Sequence, residues 1–98
     1  VSIIDFAGGV AGVSQSSVTT VGFASFNDKA AALRATGVRL FGGTAANPVT
    51  VAQDLEPEYV AVSPDSSTAW VSLQENNAMA IIDIASANLS GVDFSGSL

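Results

Sequence analysis

Residues 59–94 carry the most regular pattern of the chain, YVAVSPDSSTAWVSLQENNAMAIIDIASANLSGVDF. Four apolar runs alternate there with turns rich in Asn, Asp and Ser, residues that bond locally to the backbone. The runs predict strands at residues 59–63, 68–74, 78–84 and 89–94. Four short antiparallel strands joined by tight turns make up one blade of a β-propeller.

The third of these strands has a near copy at the start of the chain. Val1-Ser2-Ile3-Ile4-Asp5-Phe6 matches Met79-Ala80-Ile81-Ile82-Asp83-Ile84. The tails that follow, Thr20-Val21-Gly22-Phe23 and Gly91-Val92-Asp93-Phe94, also match. A repeat at long period indicates a propeller or a solenoid, in which each unit buries its apolar faces against its neighbours. The two copies should therefore lie in separate sheets, with Asp5 and Asp83 each bonding a turn.

The predicted fold class is all-β: a β-propeller fragment of about one and a half blades, with one short helix in an inter-blade insertion. Residues 1–23 would supply the outer strands of one blade and residues 55–98 a complete four-stranded blade. Residues 24–54 would form the insertion between them. The insertion either lines one face of the propeller and carries binding, as loops there often do, or only covers a blade edge.

The helix is predicted over residues 27–37, with Asn27 as N-cap and Gly37 at the left-handed position after the last turn. A helix of barely three turns is unstable alone in water. It should therefore dock on the sheets, through Leu33 and the alanines before it.

Composition narrows the possible functions. The chain has 98 residues, 48% of them hydrophobic and 12% charged, which argues against disorder. Its net charge is −6, and from Asp54 onward it has seven acids and no base. Nucleic acid is therefore not an expected partner, because phosphate contacts need Lys and Arg. Absence of Cys and His excludes thiol catalysis and His-ligated zinc within the chain, and no run is long enough to span a membrane.

Two phrases point to a family. Residues 54–63, DLEPEYVAVS, and residues 73–83, LQENNAMAIID, resemble the bacterial choice-of-anchor I proteins, a pattern also found in the propeller of mesenchyme-specific cell-surface glycoproteins. Residues 1–6 and 37–41 fit the same pattern in the same order. The resemblance implies a propeller that is secreted, extracellular or on the cell surface; a periplasmic location also fits. Its partners would be the remaining blades of the same propeller or other chains of a larger extracellular assembly.

The candidate metal ligands are Asp54, Glu56 and Glu58. Residues two apart in an extended segment face the same side, so their carboxylates could converge near the channel mouth. Such oxygen clusters suit Ca²⁺ or Mg²⁺, and calcium is the predicted cofactor. The alternative is that the glutamates bond backbone N–H groups and lock neighbouring blades together, while the acidic surface serves solubility.

Other polar and aromatic residues are assigned structural roles. Glu75, Asn76 and Asn77 are interpreted as turn chemistry. Tyr59 is expected to be buried with a bonded hydroxyl, and Trp70 is expected in the core. Catalytic residues stay unknown, because the sequence offers no nucleophile with a base beside it.

Two hypotheses of function follow. The favoured one is a non-catalytic surface propeller that acts as a calcium-associated binding or matrix scaffold. The alternative is a metal-dependent phosphoester hydrolase, since members of the family are sometimes labelled alkaline phosphatase-like or phytase-esterase-like. An enzyme should gather several acids or basic phosphate clamps at the channel. In a scaffold, backbone bonds should use those carboxylates.

Overall fold

The computed structural model describes residues 1–94 and 96, and within them the chain forms two antiparallel sheets. One sheet has two strands and the other has four, in the order β3-β4-β5-β6. The strands are β1 (Ser2–Ile4), β2 (Val18–Thr20), β3 (Val60–Val62), β4 (Thr68–Leu73), β5 (Ala78–Asp83) and β6 (Asn88–Phe94). The mostly-β fold class is confirmed, and the four-stranded meander is consistent with a propeller fragment. The division into residues 1–23, 24–54 and 55–98 stays a prediction.

The two repeat copies lie in different sheets, as predicted. Ile3 is in β1 and pairs with Thr19, whereas Ile81 is in β5 and pairs with Gly91. The predicted match of the tails is wrong by one residue, since Thr20 lies opposite Ser2 just as Val92 lies opposite Ala80. The cause is a β-bulge beside Ile81 and Ile82, which adds one unpaired residue to β6.

Asp5 and Asp83, at equivalent positions of the two repeat copies, have a structural role. The Oδ1 atom of Asp5 accepts a hydrogen bond from the Ala7 N–H at 2.7 Å. In the second copy, Asp83 Oδ1 accepts from the N–H and the hydroxyl of Ser86, at 2.8 and 2.7 Å. Each carboxylate thus holds the turn that follows its strand, which confirms the predicted role.

The core lies on one face of the four-stranded sheet. Along β4 and β5 buried side chains alternate with half-buried ones, as the two-residue period of a strand requires. Residues from the first sheet and from the segment between the sheets cover this face. The buried apolar residues are Val21, Phe23, Leu33, Val38, Leu40, Val51, Leu55, Ala69, Val71, Leu73, Ala78, Ala80, Ile82 and Val92.

The segment between the sheets contains two α-helices, one more than predicted: α1 (Ala30–Thr36) and α2 (Val51–Asp54). Helix α1 begins two residues later than predicted, with its N-cap position at Lys29, so the capping role given to Asn27 is wrong. Asn27 Oδ1 instead accepts a hydrogen bond from the Ala52 N–H at 2.9 Å, which ties the start of α1 to α2.

The end of α1 is as predicted. Gly37 has a φ of 111°, in the left-handed region, and its N–H and that of Val38 bond back to Arg34 and Leu33. A Cβ at Gly37 would also lie 3.0 Å from the Phe94 ring, so glycine is needed for both reasons. Leu33 is buried, as expected.

Two aromatic residues differ from expectation. Tyr59 is 83% exposed rather than buried, since it precedes β3, whose three residues are all exposed. Trp70 is half-buried and lies opposite Ile81, on the face of the sheet that points away from the core. The position of Trp70 follows the alternation along β4, which places a side chain by its register rather than by its hydrophobicity. Tyr59 is exposed because it lies beside β3, the edge strand of the sheet.

Candidate functional site

The segment before β3 is positioned by α2, a single turn with a strong N-terminal cap. The Thr50 hydroxyl accepts from the Gln53 N–H at 3.2 Å, and Gln53 Oε1 accepts from the Thr50 N–H at 2.8 Å. This reciprocal capping box stabilises a helix too short to persist alone. Asp54, at the last position of the turn, is thereby directed into the protein and is only 8% exposed.

The carboxylate of Asp54 binds backbone. Its Oδ2 atom accepts a hydrogen bond from the Gly42 N–H at 2.6 Å. Gly42 has a φ of 76°, and a Cβ there would lie 3.0 Å from the Arg34 guanidinium. Arg34 in turn donates from Nε and Nη2 to the Leu40 carbonyl, at 3.3 and 3.0 Å. Two charged side chains therefore hold residues 40–42 from either side.

Asn76 connects this region to the four-stranded sheet. It is completely buried, and its Nδ2 donates to the carbonyls of Arg39 at 2.9 Å and Asp54 at 3.2 Å. Its Oδ1 accepts from the Glu56 N–H at 3.1 Å, and its backbone carbonyl accepts from the Arg39 N–H at 2.7 Å. The buried amide is thus satisfied at both ends, as a buried polar group must be.

The three predicted metal ligands are in different environments. Asp54 is buried and bonded to Gly42, whereas Glu56 and Glu58 are exposed. The two glutamates contribute their backbone instead, with the Glu56 N–H bound to Asn76 and the Glu58 N–H bound to the Ser72 carbonyl at 3.0 Å. Over residues 1–94 and 96, no group of three or more Asp, Glu, His or Cys residues could hold a metal ion.

A cleft of about 220 Å³ lies beside these contacts, between α1 and residues 40–54. Arg34 and Asp54 both line it. Their side chains hydrogen-bond the backbone of Leu40 and Gly42. The two charged groups that line the cleft therefore stabilise the loop at its wall.

Sequence reasoning missed the central residue of this network. Asn76 was assigned to simple turn chemistry together with Asn77, and only Asn77 does that work, at a φ of 52° in the left-handed region. The available signal was the pair itself. One Asn at positive φ is enough for this turn, which leaves the other Asn available for hydrogen bonds inside the protein.

The comparisons with known proteins give one family. The model of the Choice-of-anchor I domain matches residues 1–97, and the chain therefore belongs to this family. Neither the curated proteins nor the solved structures give a match. Membership indicates that the chain is part of a cell-surface or extracellular protein.

Among the residues that the structure describes, no helix has the length and apolarity to cross a membrane. The longest, α1, has seven residues.

Proposed function

We propose that the chain is part of a secreted or cell-surface β-propeller that acts as a binding or matrix scaffold. Its partners are the remaining blades of the same propeller or other chains of an extracellular assembly. Support for the location comes from the choice-of-anchor I family, and support for the architecture comes from the four-stranded meander with its partial repeat in the first sheet.

One contact carries the choice of a scaffold over an enzyme, the bond from the Gly42 N–H to Asp54 Oδ2. A carboxylate that accepts a backbone N–H in a buried position stabilises the fold and is a poor candidate for substrate chemistry. Arg34, which could have clamped a phosphate, is likewise bonded to the Leu40 carbonyl. A scaffold was predicted to use the carboxylates of the candidate site in backbone bonds. Asp54 does so, whereas the carboxylates of Glu56 and Glu58 are exposed.

Calcium binding through Asp54, Glu56 and Glu58 stays a prediction, and the scaffold proposal does not require it. The exposed carboxylates of Glu56 and Glu58 are the groups that remain for an ion. Because a ligand that binds only the folded state raises its stability, millimolar calcium should raise the melting temperature of the protein if the site exists. The variant Glu56→Gln with Glu58→Gln should abolish that rise, whereas Asp93→Asn, at an exposed carboxylate of β6 outside the three predicted ligands, should not.

The test of the scaffold proposal has two arms. In the first, intact cells that make the protein are treated with a protease, and the chain should be digested without lysis. In the second, the purified protein is assayed for hydrolysis of p-nitrophenyl phosphate with Ca²⁺ or Mg²⁺, and no turnover is expected. Protection on intact cells would overturn the location. Metal-dependent hydrolysis that Glu56→Gln with Glu58→Gln removes would favour the hydrolase.

A further inference from the structure

The cleft of about 220 Å³ between α1 and residues 40–54 is formed by one continuous stretch of chain. All of its lining residues lie within residues 27–54, and none of them belongs to a strand of either sheet. The sheet faces that neighbouring blades would cover therefore take no part in it. Its shape depends instead on the hydrogen bonds from the Asp54 and Arg34 side chains to the loop at its wall.

Asp54 brings to this cleft a nearly buried carboxylate with one unused oxygen. The residue is 8% exposed, and its Oδ2 atom accepts the Gly42 N–H, whereas Oδ1 has no hydrogen-bond partner among residues 1–94 and 96. Every fully buried side-chain nitrogen or oxygen of these residues has a partner, so Oδ1 must contact open space. Because Asp54 lines the cleft, this oxygen can accept a hydrogen bond from a molecule bound there.

Arg34 brings the opposite charge to the same cleft. Its Nε and Nη2 atoms donate to the Leu40 carbonyl, which leaves Nη1 without a partner among the residues that the structure describes. Arg34 and Asp54 are not paired with each other, since the one ion pair in the described part of the chain joins Lys29 and Asp28. Each of the two charges is thus fixed by a backbone group and keeps a donor or an acceptor for a ligand.

The gap between the two charges is one residue wide. A Cβ at Gly42 would lie 3.0 Å from Arg34 Nη2, and the Gly42 nitrogen lies 2.6 Å from Asp54 Oδ2. The guanidinium and the carboxylate therefore approach the same glycine from different sides. An α-amino acid carries its ammonium and its carboxylate on a single Cα, so its two charges have a comparable spacing.

Part of the remaining wall of the cleft is apolar. Ala30 lies one turn before Arg34 on the same face of α1, and Leu40, Val49 and Val51 also line the cleft. Its volume of about 220 Å³ corresponds to roughly seven water molecules. That is enough space for an amino acid with a short aliphatic side chain.

We propose that this cleft binds a free α-amino acid with a small aliphatic side chain. The ammonium of the ligand donates to Asp54 Oδ1, its carboxylate accepts from Arg34 Nη1, and its side chain lies against the apolar wall. A charge-assisted hydrogen bond at each end fixes the orientation of the ligand. The bond to Asp54 is the stronger one, because little water screens a carboxylate that is nearly buried. A residue within a peptide has neither charge, which favours a free amino acid over a peptide.

The two charges also disfavour simpler ligands. A divalent cation in the cleft beside Asp54 would be repelled by Arg34, and a phosphate beside Arg34 would be repelled by Asp54. A zwitterion satisfies both groups at once.

NMR titration of the purified chain with L-valine tests the proposal. The Gly42 amide lies between the two charges, so its signal should shift as valine is added and then reach a plateau. Binding should require both charges of the ligand. Valine amide lacks the carboxylate and N-acetylvaline lacks the ammonium, so each should bind at least tenfold more weakly than valine.

Substitutions test the same contacts from the protein. Asp54→Asn and Arg34→Gln each remove one charge and keep an amide that can still bond the loop, and each should weaken valine binding at least tenfold. Asp93→Asn and Arg39→Gln are the matched controls, because they remove the same charges at exposed positions that do not line the cleft. Circular dichroism checks that each variant is folded. The ligand analogues probe the unchanged chain, so the test stands even if a variant unfolds.

Three results would overturn the proposal. The first is a Gly42 signal that stays unchanged at about 10 mM valine. The second is equal affinity for valine and its two analogues, and the third is displacement of valine by calcium chloride or by sodium phosphate. The proposal goes beyond the scaffold role and concerns only residues 27–54. Its failure would therefore leave the proposed location and the propeller architecture untouched.

Discussion

The four-stranded sheet and the segment from Gly37 to Glu58 are held together in different ways. The sheet is built from backbone ladders, and its core side chains follow from alternation along β4 and β5. The segment contains a single helical turn, α2, and is held by a few polar side chains, chiefly Asn76, Asp54 and Arg34. Stability in the sheet is thus spread over many equivalent contacts, whereas in the segment it depends on single residues.

The largest effect is expected from a cavity in the sheet. Leu73 has no exposed surface, and Leu73→Ala should lower the free energy of unfolding by roughly 3–5 kcal/mol. Because the sheet forms one cooperative unit, all spectroscopic probes should shift together in a urea titration. Val62→Ala, on the same face of the sheet but 54% exposed, is the control and should change the free energy by less than about 1 kcal/mol. Equal effects of the two changes would contradict a core centred on β4 and β5.

A smaller and more local effect is expected from Asn76→Ala. It leaves the Arg39 and Asp54 carbonyls and the Glu56 N–H without partners, at a cost of about 2–3 kcal/mol. The rate of hydrogen exchange should rise more at the Glu56 amide than at the Ile84 amide, because the Ile84 amide bonds within the sheet. Asn47→Ala, at an exposed loop position, should leave both rates unchanged. Uniform acceleration throughout the chain would mean that the segment and the sheet are one unit.

Next in size is the loss of charge at Asp54. Asp54→Asn keeps the shape but replaces a charge-assisted bond to the Gly42 N–H by a neutral one, which should cost about 1 kcal/mol. The Gly42 amide proton should move upfield in the NMR spectrum as its hydrogen bond weakens. Asp93→Asn, at an exposed position in β6, serves as the control. An unchanged Gly42 signal would show that the carboxylate is not bonded there in solution.

The smallest effect is expected on the stability of the protein in acid, through the hydrogen-bonded aspartates in the turns of the sheet. Hydrogen bonds from the Ser63 hydroxyl, and then from Ser67, lower the pKa of Asp65 to about 2. The folded pKa lies below the unfolded one, so this contribution is fully present above the unfolded pKa of about 4 and disappears as pH falls towards 2. Ser63→Ala should raise the Asp65 pKa, measured by carboxyl NMR. Ser86→Ala should instead raise the pKa of Asp83, which the Ser86 backbone and hydroxyl hold below its usual value.

The same contrast explains which predictions from sequence succeeded. Strands β4 to β6 and the end of α1 at Gly37 were predictable, because period-two alternation and a left-handed glycine are local signals. The start of α1 was misplaced, because Asn27 bonds Ala52, a residue distant in sequence. The tails of the repeat were misaligned, because a bulge shifts the register by one residue and leaves no recognisable pattern in the sequence.

The candidate site was predictable in position and not in chemistry. The acidic phrase around Asp54 does mark an organised segment, yet the groups that organise it are Asn76 and Arg34, from elsewhere in the chain. A carboxylate has the same sequence signature whether it faces solvent, an ion or a backbone N–H, and only its neighbours in space distinguish these cases.

By itself, the sequence determined the mostly-β class, the strand positions and the family, since each rests on local patterning or on phrases of consecutive residues. Only the tertiary structure decided that Asn76 is buried, that Asp54 binds Gly42, and that Trp70 lies away from the core. The physical reason is that burial and hydrogen-bond partners depend on which distant segments meet, and the register and packing of whole sheets decide that.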